Sequence, residues 1–211
     1  MEYLISEITK LKNNEVGKII QQRMQEFEKV FESEEGVFSE LCFCITTANS
    51  SAEMGIKVQN AIGGTLDNYN EKSLAKKLRS LGYRFYNKRA EYLIESYKKW
   101  KNIKQIIKNF EKEYNEYEIR EWLKKNVLGI GYKEASHFLR NIGYKNLAIL
   151  DRHVLSIMYE NKIIRKIPEN LSKKTYLEIE KKLLKLCEIT DLSQGELDMY
   201  LWHMKTGKIL K

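Results

Sequence analysis

Apolar residues recur along this chain at spacings of three and four over almost its whole length, and polar residues fill the positions between them. That pattern predicts twelve helices, near residues 3–12, 15–32, 37–48, 52–62, 71–80, 84–98, 102–112, 117–127, 132–142, 151–160, 172–187 and 193–206. In the third, Val37, Phe38, Leu41, Cys44 and Ile45 share one face, which suits a buried helix. Runs that alternate long enough for a sheet are absent. A single proline, Pro168, stands in 211 residues. Glycines at 63–64, 82, 129, 131, 143 and 207 each follow a helical stretch, where a left-handed cap is wanted. The expected fold class is all-α. Neither a composition shift nor a fixed-period repeat marks an internal boundary, so residues 1–211 are read as a single helical unit.

Composition removes several function classes. With 43% hydrophobic and 31% charged residues the chain is not a disordered one. No apolar stretch approaches the roughly 20 residues of a membrane span. The opening MEYLISEITKLKNN carries charge throughout and lacks the apolar run of a secretory signal. Cys42, Cys44 and Cys187 make neither a CxxC pair nor an even disulfide framework, which points to a reducing, cytoplasmic setting. Three thiols also exclude four-cysteine zinc sites and iron–sulfur clusters. His137, His153 and His203 have no carboxylates at ligand spacing, so no metal site is expected. Lys plus Arg outnumber Asp plus Glu by 37 to 29, and the resulting net charge of +8 favours a polyanionic partner.

One segment carries chemistry. A charged helix ends at Leu128, the chain turns through Gly129-Ile130-Gly131, and a second helix starts at once. Glycines there permit a tight turn and close approach of another backbone. The free N–H groups at the new helix start form a ready phosphate site. An ordinary interhelical turn explains the glycines equally well. Lys133 shifts the balance: it occupies the first turn of the second helix, where the dipole disfavours a cation and thereby favours the neutral, nucleophilic amine. Eighteen residues later Asp151 follows the apolar run Leu147-Ala148-Ile149-Leu150. Alone it reads as a helix N-cap; a lysine and a fixed carboxylate across one groove are a rarer pair.

These residues resemble the helix-hairpin-helix DNA glycosylase superfamily in its lysine-bearing, bifunctional branch. Cys44 to Asn49, Leu81 to Ala90, and the closing Trp202 to Lys211 further resemble the short archaeal-type 8-oxoguanine DNA glycosylase/AP lyases, so the likeness spans nearly the whole chain. It implies two helical lobes around a DNA-facing cleft, with the hairpin at about 117–142. It implies Lys133 as nucleophile at the sugar, Asp151 as the carboxylate that stabilises the positive charge developing there, and β-elimination from the resulting imine.

The flipped base is expected to meet Trp202, Asp198 and the terminal carboxylate of Lys211. Spacing of four puts Asp198 and Trp202 on one helix face, although a core Trp with a surface Asp has the same spacing. By the same resemblance Asn49 fills the gap left in the duplex, its alternative being a helix C-cap, and Phe85 wedges near the opposite strand or packs in the core. Arg84, Lys88 and Arg89 form a basic run with Tyr83 and Tyr86, suited to phosphates or to a solvated face. Gly129 and Gly131 belong to the DNA-facing hairpin. No soluble cofactor is implied, apart from a monovalent cation on hairpin carbonyls of residues 126–131. His137 and His153 read as structural. The partner implied is double-stranded DNA containing oxidised guanine, met by a monomer. A hairpin module that only grips backbone, and a glycosylase for another damaged base, remain the alternatives.

Overall fold

In the computed structural model, which describes residues 1–211, the chain forms twelve helices and no strand. They are α1 (Glu2–Lys12), α2 (Glu15–Val30), α3 (Glu34–Thr47), α4 (Ala52–Ile62), α5 (Glu71–Ser80), α6 (Tyr86–Trp100), α7 (Ile103–Phe110), α8 (Glu116–Asn126), α9 (Tyr132–Asn141), α10 (Arg152–Glu160), α11 (Lys173–Thr190) and α12 (Gln194–Thr206). Short polar residues start most of them. Asn14, Ser33, Ser51, Asn70, Asn115, Asp151, Ser172 and Ser193 each accept a first-turn backbone N–H on the side chain, satisfying donors the helix cannot.

Two apolar cores divide the molecule into lobes. The larger is built from α3 to α9 and the smaller from α1, α10, α11 and α12, with α2 packed on α12 through Ile20, Met24 and Phe27. The first and last helices, α1 and α12, therefore belong to one lobe. The hairpin α8–α9 joins the two, because α9 gives Phe138 and Leu139 to the larger core and Tyr132 to the smaller.

Several local expectations change. The third helix is buried nearly all round from Val37 to Thr47, rather than along one face, because α4, α6, α7 and α9 all pack on it. The helix expected from 84 begins at Tyr86, after a turn in which Gly82 takes φ +84° and Arg84 and Phe85 stay outside. Gly131 is extended (φ −99°), not left-handed, and Gly64 is likewise absent from the positive-φ glycines. Gly64 requires space, whereas at Gly131 only the end of the Glu134 side chain would have to yield. A Cβ on Gly131 would lie 2.9 Å from Glu134 Oε2, and one on Gly64 only 2.3 Å from the Glu35 carbonyl oxygen. Gly129 does take φ +80°.

A buried ion pair fixes the hairpin to the second lobe. Arg120 of α8, 1% exposed, donates to both carboxylate oxygens of Glu180 on α11 at 2.6 and 2.8 Å, and to Ser136 Oγ on α9 at 3.2 Å. Glu180 Oε1 also accepts the Ala148 N–H at 2.9 Å, and Tyr176 Oη donates to the Ala148 carbonyl at 2.6 Å. The extended stretch that delivers Asp151 is thereby tied to both hairpin helices.

Glu180→Ala strands a buried guanidinium and should cost about 3–5 kcal/mol in chemical denaturation. Joint replacement by Arg120→Met and Glu180→Leu should cost clearly less than the single change, since no charge is left unpaired.

Candidate active site

Between the lobes lies a cleft of about 1120 Å³. It is walled by the turn after α3, the first two turns of α9, the start of α10, the face of α12 and the chain's last residues. Lys133, Asp151, Asp198, Trp202, Lys211, Asn49 and Arg84 all line it. An adjoining hollow of about 450 Å³ takes Phe85, Lys88, Arg89 and Gly129, and Asn49 borders both. Gly131 lines neither; its N–H donates to Glu134 Oε2 at 3.1 Å.

Lys133 stands in the first turn of α9 with its side chain 28% exposed, and its Nζ pairs with Glu134 Oε1 at 3.1 Å. The carboxylate paired with it is thus Glu134, while Asp151 lines the same cleft. Asp151 is held by its own helix: Oδ1 accepts the N–H groups of His153 and Val154, each at 2.8 Å. N-cap and cleft wall are one position here, because the cap fixes the carboxylate where α10 begins.

Asp198 is 6% exposed and lies 3.4 Å from Arg140 Nη1. Burial pushes its carboxyl up to about 7; Arg140 and Lys133 pull against that, and Asp151 adds to it. Trp202, one turn on and half-buried, meets the edge of His153 with ring centres 6.3 Å apart. His137, one turn beyond Lys133, is buried against Phe43, and its Nε2 has no partner. Burial, then Arg140 and Lys133, hold its imidazole well below the ordinary range, so it is neutral.

The basic run divides. Arg89 turns inward, is buried, and donates to the Ala48 carbonyl at 2.7 Å, bracing the turn that carries Asn49. A buried guanidinium held this way is not a solvated helix face. Arg84 is exposed with its guanidinium 4.7 Å over the Phe85 ring, and Lys88 is exposed beside Glu91 at 2.8 Å. Phe85 is 37% exposed, outside the core. Asn49, also exposed, is left-handed (φ 60°) just past the C-cap Ala48, so it is not itself the cap. Lys211 is held: its Nζ donates to Glu40 Oε1 at 2.5 Å and Gln59 Oε1 at 2.7 Å.

Sequence reading missed Glu134, Arg140 and Glu40. Glu134 has a signal, three residues after the N-cap in the place of a capping-box glutamate. Arg140 lies seven residues from Lys133, on the same helical face. Glu40, inside an apolar helix, has none. No group of three or more His, Cys, Asp or Glu side chains is placed to hold a metal ion, and no helix is long and apolar enough to cross a membrane.

A family model described as 8-oxoguanine DNA glycosylase matches residues 20–192. The 8-oxoguanine DNA glycosylase/AP lyase of Methanocaldococcus jannaschii is 50% identical over 209 residues, covering 99% of each chain. The protein of that name from Korarchaeum cryptofilum is 45% identical over 208 residues, 99% of this chain and 98% of its own. The solved structure of the M. jannaschii glycosylase/lyase in complex with a 15-mer DNA containing 8-oxoguanine superposes with a TM-score of 0.94, covering 99% of this chain and 100% of that one. Matched in sequence and in fold from end to end, with the hairpin lysine and its cleft in place, this chain belongs to the 8-oxoguanine DNA glycosylase family.

Proposed function

We propose that this protein flips 8-oxoguanine out of duplex DNA, excises it through a lysine imine, and then nicks the strand by β-elimination. The observation that carries the reading is Lys133 at the start of the second hairpin helix, lining one interlobe cleft together with Asp151. Neutral Nζ attacks the anomeric carbon, and the glycosidic bond breaks with its electrons passing to the departing base, which takes up a proton. Asp151, anchored by two backbone N–H groups, stabilises the cationic sugar without moving. The amine adduct loses a proton and opens the sugar ring to an imine. Loss of a C2′ proton then expels the 3′ phosphate and cuts the strand. Glu134 is the group Lys133 must leave before it attacks.

The rest of the cleft suits a base. Trp202 offers a ring face, Asp198 a buried carboxyl that is half-protonated near neutrality, and Lys211 the terminal carboxylate. Asn49 stands at the mouth, where a side chain can occupy the vacated stack, and Phe85, with Arg84 on its face, is free to meet the opposite strand. Arg84 and Lys88 are the exposed cations for phosphates. Gly129 and Gly131 bring the hairpin backbone to the DNA, and carbonyls of residues 126–131 are where a monovalent cation would sit. The chemistry closes on lysine, carboxylate and DNA, with no cofactor required. A monomer suffices, acting on the chromosome in the cytoplasm.

Borohydride added to a duplex with one 8-oxoguanine should trap wild type covalently and leave Lys133→Gln untrapped but still bound. Trapping of Lys133→Gln, or binding by both proteins with trapping by neither, would defeat the reading. Asp151→Asn keeps an N-cap and hence the fold, and should slow single-turnover base release by about 100-fold or more.

A third expectation concerns Asp198, whose carboxyl lies near 7 in the fold against an ordinary 3.8. Between those values the folded protein holds a proton that the unfolded chain gives up. Its contribution is therefore full at low pH and lost as pH rises to about 7. The melting temperature of Asp198→Asn, relative to wild type, should accordingly be higher at about pH 8 than at about pH 5.

A further inference from the structure

We infer that Glu40, Gln59 and Asn141 are positioning residues: Glu40 and Gln59 latch the ammonium of Lys211, Asn141 holds Glu40 in place, and together they fix Lys211 as a wall of the base pocket. The inference rests on the proposed function for its substrate, and on the following geometry for its residues.

Helix α12 ends at Gly207, and Lys208 to Lys211 cross without helical structure from the smaller lobe to the larger. A free chain end of this kind ordinarily frays. One tether, Lys208 to Glu53 at 2.6 Å, joins two side chains more than half exposed and is worth little. The other tether differs in kind. Glu40, its side chain 5% exposed, sits in the middle of the buried helix α3.

Every oxygen of Glu40 is accounted for from elsewhere in the fold. Oε1 accepts Lys211 Nζ at 2.5 Å and Gln59 Nε2 at 3.0 Å; Oε2 accepts Asn141 Nδ2 at 2.8 Å. Gln59 turns its own Oε1 to the same ammonium at 2.7 Å, and Lys211 Nζ also lies 5.3 Å over the Phe43 ring. One carboxylate and one amide therefore converge on the Lys211 ammonium, and a second amide, Asn141, holds the carboxylate from its other oxygen.

Stability alone does not account for such a cluster. Taking a carboxylate into an apolar helix bundle costs several kcal/mol, and an apolar side chain of similar volume would avoid the cost. What the ion pair supplies is location. The α-carboxylate of Lys211 belongs to the residue whose ammonium is gripped, so holding Nζ limits where the carboxylate can go. The same polar cluster reaches the pocket by a second route: Asn141 Oδ1 accepts Arg140 Nε at 2.9 Å, and Arg140 Nη1 lies 3.4 Å from Asp198. One continuous network thus holds two groups that would face a flipped base, the terminal residue and Asp198.

The network touches neither Lys133 nor Asp151 directly, which separates its effect from the covalent chemistry. Base release needs a recognised base in the pocket. Nicking of a preformed abasic site uses the same lysine with no base present. Two variants test the assignment. Glu40→Gln keeps the shape but removes the charge and turns one acceptor into a donor, and Lys211→Met keeps the α-carboxylate but removes the ammonium, leaving the packing of Ile209 in place.

Single-turnover base release from an 8-oxoguanine duplex, read after alkali, is compared with nicking of the same duplex carrying an abasic site. In both variants the ratio of release to nicking should fall about 10- to 100-fold, the scale of an ångström-size misplacement, and Lys211→Arg should restore most of it. A ratio equal to wild type would overturn the latch, whether both rates fall together or neither falls. Wild type that nicks abasic sites but releases no 8-oxoguanine would overturn the proposed lesion, and the latch's role with it.

Discussion

The Arg120–Glu180 pair is the constraint on which the site's geometry depends. The two catalytic candidates come from separate parts of the fold, Lys133 from the second hairpin helix and Asp151 from the end of an extended stretch leading into α10. Neither helix packing nor local propensity sets the distance between such elements. The buried pair does, because Arg120 reaches across the hairpin to Ser136 while Glu180 takes the Ala148 N–H three residues before Asp151. A fork-to-fork ion pair tolerates little sliding or rotation. An apolar contact in that place would be no weaker in free energy, but it would leave the hairpin free to shift against the stretch that carries the carboxylate.

Three carboxylates, Asp151 and Asp198 lining the cleft and Glu40 buried in α3, have different surroundings and different uses. Asp151 is partly exposed and its Oδ1 accepts two backbone N–H groups, which fix where the carboxylate stands at the start of α10. Asp198 is buried, with one guanidinium at the edge of hydrogen-bond reach, so its carboxyl titrates near neutrality and can present a proton or a lone pair to a base. Glu40 is buried as deeply but meets an ammonium and two amides. Environments that differ this way let one cleft assign separate roles to chemically similar side chains. His137 fits the same scheme: with Lys133 and Arg140 close by, keeping the imidazole neutral avoids a further positive charge beside Lys133.

The helices were legible because their signals are local: apolar spacing, Ser or Asn at the start, glycine at the end. The hairpin and its lysine were legible for the same reason, since dipole, turn and side chain lie within a few residues. Three features were not. The all-round burial of α3 follows from which helices surround it, and a composition of Phe, Cys, Leu and Thr reads equally as one buried face. Arg89 looks identical in sequence to Arg84 and Lys88; only the path of the chain after Thr47 decides that it turns inward to the Ala48 carbonyl, 41 residues away. The grip on Lys211 joins residues 171 and 152 positions apart, beyond the reach of any periodicity. Local rules give elements and capped positions. They do not say which charges the fold will bury.

The placement of the site between two cores, rather than inside either, follows from the chemistry it must hold. A lysine nucleophile has to lose its proton, and a carboxylate has to keep its charge against a sugar cation. Deep burial would help the first and spoil the second. A cleft bordered by helix starts and caps, with apolar and polar side chains along it, meets both needs, since dipoles and caps act at short range without a full loss of water. Its width is then set by polar ties, the hairpin pair behind and the terminal lysine across the front, while each apolar core stays intact on its own side.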